Sequence, residues 1–298
     1  MKLRALLFAL ITCTCFALAS HATDAASPLV PAADAGKLVA SEHAFAAMAR
    51  GQGVRRAFME WLAPTGVLFR PGPVIGRRFY EAGRDDPGLL EWDPDHAVMS
   101  ASGDMGWTTG PWAFRTDSSK AQPDAYGQFV TVWRRQPDGS WRAALDAGSG
   151  HAAPNAPVTS RVIRTLQAAP AAGRRPLAER KTLWQVDADY VKLARAEGPA
   201  AALAAHASPD VIVLRDDATR WAGSAARDSV AAHEPSVSMM STAQFMSQAG
   251  DLGYTYGTYV VPRAADADSG HYVHIWERDA SRAWKLALEL VTPMPKRR

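Results

Sequence analysis

Glu42 and Asp187 are each a carboxylate set on an otherwise apolar helix stripe. Glu42 stands four residues after Leu38 and three before Phe45, and Asp187 holds the same place between Leu183 and Tyr190. Residues three or four apart share a helix face. A carboxylate on a face bound for the core is costly unless it is paired or hydrogen-bonded. Arg70 and Arg215, at the ends of two equivalent short strands, are the expected partners. Two readings stand side by side. Either acid is a pocket carboxylate with a raised pKa that moves a proton, or each is half of a helix–strand ion pair that braces the fold.

Asp146 and Glu289, late in the last strand of two corresponding segments, form a second pair of acids. Trp141, Ala143 and Leu145 alternate with Arg142, Ala144 and Asp146, so strict alternation places Asp146 on the more polar face. One β-bulge would reverse that assignment. Aromatic residues are dense nearby, and Trp107 and Trp112 fall on opposite faces of one strand. Trp92, Trp112 and His96 are candidates to line a pocket. The positions matching Trp92 and His96 later in the chain are Met239 and Ala243, which lack the same chemistry. His271 stands where the first segment has Gln128. For each Trp, core packing is the competing role. His271 and His274 point to opposite faces of a strand, no metal or phosphate-loop motif occurs, and no nucleophile elbow is present. No metal and no cofactor is expected.

The elements that would position these groups occur twice. Gly103-Asp104-Met105-Gly106-Trp107-Thr108-Thr109-Gly110 recurs as Gly250-Asp251-Leu252-Gly253-Tyr254-Thr255-Tyr256-Gly257. Phe129-Val130-Thr131-Val132-Trp133-Arg134-Arg135 recurs as Tyr272-Val273-His274-Ile275-Trp276-Glu277-Arg278. Each copy opens with an amphipathic helix: Leu38, Phe45, Met48 and Ala49 make one stripe, and Leu183, Tyr190, Leu193 and Ala194 the other. Shorter helices are predicted over 54–62 and 199–205, short strands over 67–70 and 211–215, and helical turns after Gly76 and Gly223. Strands at about 95–101, 104–115, 126–136 and 141–147 close the first copy, with the last hairpin turned by Pro137-Asp138-Gly139. Helices first and an antiparallel meander last is an α+β order. Residues 33–150 and 177–293 are read as the two domains. Residues 151–176, rich in Ala and Pro, are read as a semi-rigid linker in which 158–166 adds a strand or a helical turn.

Both copies resemble the nuclear-transport-factor-2-like (NTF2-like) superfamily, closest to its SnoaL-like or DUF4440-type members. The pieces that carry the resemblance are the leading helix ending Ala49-Arg50-Gly51-Gln52-Gly53, the Gly76 helical turn, the Gly-Asp-Met-Gly-Trp-Thr-Thr-Gly strand and the terminal Val-Trp-Arg-Arg-Gln-Pro-Asp-Gly-Ser-Trp hairpin. The resemblance implies two tandem cones, each a curved antiparallel sheet wrapped on N-terminal helices with a pocket at its wide end. It implies no single activity, since members include isomerases, lyases and binding modules. The full catalytic set of the ketosteroid isomerases is not present at matching positions.

Residues 1–22 carry the three parts of a secretory signal: Lys2 and Arg4, the apolar run 5–16, then small residues. That run is too short to span a membrane, and no stable membrane span is expected. The expected location is periplasmic or secreted. Cys13 and Cys15, the 2 cysteines of the chain, both fall in this leader, which excludes thiol chemistry and disulfides from the rest. Lys and Arg total 33 against 30 Asp and Glu, a near-neutral balance without the basic footprint of a nucleic-acid binder. Strands apolar on both faces must be covered on both, and the expected cover for the outer faces is the other copy, giving an intramolecular pseudo-dimer. The function expected first is binding of a small, largely apolar ligand in a cone. The alternative is a cofactor-free isomerase or lyase that uses a pocket carboxylate.

Overall fold

A computed structural model describes residues 33–84, 87–154, 160–167, 181–233, 237–261 and 268–294. The leader expected over 1–22, most of the linker and residues 295–298 lie outside the described residues. The first half begins with α1 (Gly36–Gln52) and α2 (Val54–Trp61), then β1 (Leu62–Phe69), β2 (Pro73–Ile75) and α3 (Gly76–Ala82). It continues with β3 (Leu89–Trp92), β4 (His96–Met99), β5 (Met105–Arg115), β6 (Ala125–Arg135) and β7 (Trp141–His151). Then β8 (Val162–Thr165) forms within the span read as linker and pairs in parallel with β4. The second half repeats the plan: α4 (Leu183–Glu197), α5 (Pro199–His206), β9 (Ala207–Arg215), β10 (Trp221–Ala222), α6 (Gly223–His233), β11 (Ser238–Met246), β12 (Leu252–Val261), β13 (Asp268–Arg278) and β14 (Trp284–Pro293).

Local sequence explains the helix starts and corners. Thr182 and Gln185 form a reciprocal capping box at the head of α4. Gly53 and Gly198, with φ of 86° and 95°, turn the chain between paired helices in a conformation that side chains disfavour. The strands then form two sheets, ordered β2-β1-β7-β6-β5-β4-β8 with β3 on β5, and β10-β9-β14-β13-β12-β11. Neighbours are antiparallel except β1 with β7, β9 with β14, and β4 with β8.

Each sheet carries helices on one face, over cores built from Leu38, Phe45, Phe58 and Trp133 in one half and Leu183, Tyr190, Tyr272 and Trp276 in the other. A third core joins the outer faces. It gathers Val67, Phe69, Trp107, Val130, Val132 and Leu145 with Ile212, Leu214, Tyr254, Val273, Ile275 and Leu288. The two Gly-Asp loops reach across reciprocally. Ala101 N donates to Asp251 Oδ2 at 2.8 Å, and Gln248 N donates to Asp104 Oδ2 at 3.1 Å. Trp107 Nε1 donates to Glu277 Oε1 at 3.0 Å, and that carboxylate also holds Arg164 at 2.5 Å.

One irregularity decides what faces each cone. Val132 pairs with Leu145 but Trp133 pairs with Ala143, so Ala144 is an extra residue in β7. Ile275 pairs with Leu288 but Trp276 pairs with Leu286, so Ala287 is the extra residue in β14. A bulge of one residue flips every side chain after it.

Candidate functional site

Those bulges overturn the placement of Asp146 on the polar outer face. Ala143 belongs to the first cone's core, Leu145 has moved to the core between the sheets, and Asp146 therefore turns inward. Glu289 does the same in the second half, between Leu288 and Leu290 of the shared core. All four acids of interest thus meet cone interiors, yet the halves treat them differently.

In the first cone Glu42 is wholly buried and does not pair with Arg70, contrary to expectation. Its oxygens accept from Trp92 Nε1 at 2.6 Å, Thr108 Oγ1 at 2.5 Å and Trp133 Nε1 at 2.9 Å. Burial raises its pKa to about 7, against the pull of those donors and with help from the Asp146 charge. The helix–strand ion pair is replaced by three neutral donors because Arg70 stays at the cone mouth. There it is exposed, and Nη1 donates to the Phe69 carbonyl at 2.8 Å.

Asp146 sits higher, with Thr131 Oγ1 donating to Oδ2 at 2.8 Å. Burial raises its pKa to about 6, opposed by Thr131 and by the charge of Arg70. Oδ1 takes no hydrogen bond among the described residues. Asp146 and Arg70 line a cavity of about 320 Å³ whose other walls include Phe58, Trp92, Trp112 and Phe129. Trp112 spans the cavity because Gly127 lies beneath it: a Cβ there would stand 2.3 Å from the indole ring. Pockets of this kind, apolar with a few placed polar groups, suit small organic ligands.

The second cone is built differently. Tyr190, Tyr272, Trp276, Met239 and Tyr259 pack together in its interior. Asp187 does not pair with Arg215. It takes His274 Nδ1 at 2.8 Å and Thr255 Oγ1 at 2.7 Å, together with the Ser241 hydroxyl. His274 Nε2 reaches on to Glu289 at 2.9 Å, where Tyr190 Oη donates at 2.5 Å and Arg215 Nη2 at 2.5 Å. Two carboxylates therefore face one imidazolium and one guanidinium. Burial alone would push the acids up and the histidine down, but the mutual contacts win. His274 rises to about 9, Glu289 falls to about 2 under Arg215 and His274, and Asp187 also falls. Such a network fixes the interior but leaves no acid ready to exchange a proton.

Three further expected residues lie outside the cones. His96 faces outward, its Nδ1 2.8 Å from Asp95 Oδ1, and Arg220 from the second half meets the same carboxylate at 2.6 Å. Its neighbour Ala97 takes the cone face instead. Gln128 and His271 share the outward parity of Val130 and Val273, so neither enters a pocket at the cone's heart. His271 stacks on Phe69 with ring centroids 4.1 Å apart and bonds Thr292 Oγ1 at 2.6 Å. Burial, aided by the Arg70 charge, lowers its pKa to about 4. Trp92 and Trp112 do line the first cavity. Sequence reasoning passed over His274, Thr108 and Trp133. The signal for His274 was its place at cone-facing parity in Tyr272-Val273-His274-Ile275-Trp276, opposite a carboxylate stripe.

Each half runs through paired helices, then a helical turn, then an antiparallel meander. A ketosteroid isomerase-like protein from Erwinia carotovora atroseptica matches 39% of this chain and 95% of its own, at 9% identity and a TM-score of 0.34. An NTF2-like protein of unknown function from Shewanella oneidensis matches 37% of this chain and 95% of its own, at 11% identity and a TM-score of 0.31. A conserved protein from Planctomyces limnophilus matches 38% and 94%, at 18% identity and a TM-score of 0.31. No protein-family model and no curated protein sequence matches the chain. Among the described residues, no cluster of three or more His, Cys, Asp or Glu is placed to hold a metal ion, and no helix is long and apolar enough to cross a membrane.

Proposed function

We propose that the first cone binds a small, largely apolar molecule and that Asp146 is the group that recognises its polar end. The observation that supports this reading is the asymmetry of the halves. In one cone a carboxyl with an unpartnered oxygen stands in the wall of an aromatic-lined cavity. In the other the matching carboxyl is consumed by Arg215, His274 and Tyr190. A second reading, a cofactor-free isomerase or lyase, is favoured by the Asp146 pKa near 6, because a base or acid works best with a pKa close to ambient pH. In both readings the protein is exported, and its halves act as an intramolecular pseudo-dimer about the shared core.

The test is native mass spectrometry of the protein purified from its own host. A retained small molecule is expected, and Ala125→Trp, which adds bulk at the cavity wall, should expel it. A protein that carries no retained mass and takes up no apolar ligand in solution refutes the binding reading. If Asp146→Asn leaves any discovered turnover intact, the proton-transfer version fails. Intact mass of the exported chain reports whether the leader has been removed.

A further inference from the structure

Arg70 and Asp146 line the first cavity together, and each lacks a contact that its counterpart makes in the second half. The two arginines begin alike. Arg70 Nη1 donates to the Phe69 carbonyl at 2.8 Å, and Arg215 Nη1 donates to the Leu214 carbonyl at 3.0 Å. Arg70 also keeps the strand parity of Leu68, a residue of the first cone's core. In the second half the other guanidinium nitrogen, Arg215 Nη2, meets the Glu289 carboxylate at 2.5 Å. In the first half the matching acid is Asp146, one methylene shorter, and Arg70 reaches no carboxylate among the described residues.

The acid lacks a donor as well. Glu289 is met by Tyr190 Oη and by His274, whereas the counterparts beside Asp146 are Phe45 and Thr131, of which only Thr131 donates. Asp146 is half-buried, and its unpartnered Oδ1 keeps accessible surface where the residue borders the cavity. Arg70 is exposed, and no other charged residue among those described lines this space. An arginine and an acid that satisfy each other in one cone thus both face a cavity in the other. What complements such a separated pair is an anion for the guanidinium and a donor for the carboxylate, held close together. On the reading of the first cone as a binding site, we infer that its ligand is a 2-hydroxy carboxylic acid with an apolar body. The carboxylate takes the open edge of Arg70, as the Glu289 carboxylate does at Arg215. The hydroxyl donates to Asp146 Oδ1, as Tyr190 does to Glu289, and separates the two carboxylates. The body lies among Phe58, Trp92, Trp112 and Phe129.

Racemic mandelate carries all three parts. Methyl mandelate lacks the charge, and phenylacetate lacks the hydroxyl. Calorimetry and saturation-transfer NMR on the purified protein should show mandelate binding, with each counterpart about tenfold weaker. Arg70→Met, at an exposed position, should lower mandelate affinity to about the level of methyl mandelate and leave methyl mandelate unchanged. Ala125→Trp, at the cavity wall, should abolish mandelate binding. Methyl mandelate or phenylacetate binding as tightly as mandelate would overturn the assignment, and if Ala125→Trp abolishes that binding the cone reading still stands. Mandelate binding that survives Ala125→Trp, or that is indifferent to Arg70→Met, would overturn it too. Binding of none of the three would also overturn it, and the cone reading would then be decided separately by the mass retained in the protein from its own host.

Discussion

Glu42→Gln should remove a specific part of the pH dependence of stability. The carboxyl is 0% exposed, and burial moves its pKa from an ordinary 4.5 to about 7. Between those values the folded chain holds a proton at Glu42 that the unfolded chain has released, so stability falls as pH rises through the window. A shift of that size corresponds to about 3 kcal/mol. Glutamine mimics the protonated acid: its amide can donate to Thr108 Oγ1, its oxygen accepts from Trp92, and Trp133 keeps its contact with Thr108 at 3.0 Å. Asp146, raised, and His271, lowered, titrate in overlapping windows with opposite effects, so the variant must be read against its parent. Urea unfolding followed by tryptophan emission at pH 4.5, 6 and 8 supplies the comparison. The variant should gain about 3 kcal/mol on its parent between the first and last pH. Parallel profiles would refute the claim that an uncharged, indole-bound Glu42 lies at the base of this cone.

His271→Gln, which installs the residue of the matching position, should give the opposite difference. A histidine held near pKa 4 costs stability as pH falls from 6.5, so the variant should gain on its parent by about 3 kcal/mol between pH 7 and 4 in the same assay. Arg215→Met leaves Glu289 buried with only part of its compensation and should cost about 3–5 kcal/mol, read as a fall in the urea midpoint. Asp251→Ala strips the Ala101 N–H and the Ser247 hydroxyl of their acceptor and should cost about 1–3 kcal/mol. If Asp251→Ala is neutral, the reciprocal loops do not hold the halves together.

Much of the scaffold was legible because it rests on periodicity. The stripes Leu38–Phe45 and Leu183–Tyr190 produced helices α1 and α4, and the repeated Gly-Asp strands produced β5 and β12. The acids on those stripes were correctly seen as buried. Their partners were not, because a partner is chosen by register across the sheet rather than by spacing along the chain. The side taken by Asp146 stayed open for the same reason: alternation is reliable until a strand gains one residue, and Ala144 carries no local mark of a bulge. His96 lies outside the first cone for a different reason, lining a cavity with Trp107, Arg164 and Arg220 instead. It begins a strand after Pro94, and nothing in the preceding turn says which face the first residue takes.

In a homodimer of separate cones, every substitution is made twice, and a change that plugs one pocket plugs both. Here the residues inside the two cones are encoded independently. His274 could arise where the other half keeps Thr131, and Arg215 could turn in upon Glu289 while Arg70 stayed at its mouth. Joining the halves in one chain thus breaks symmetry without losing the common wall of Val130, Val273 and their neighbours. One cone can be given to rigidity so that the other keeps a carboxyl with one open oxygen and remains foldable.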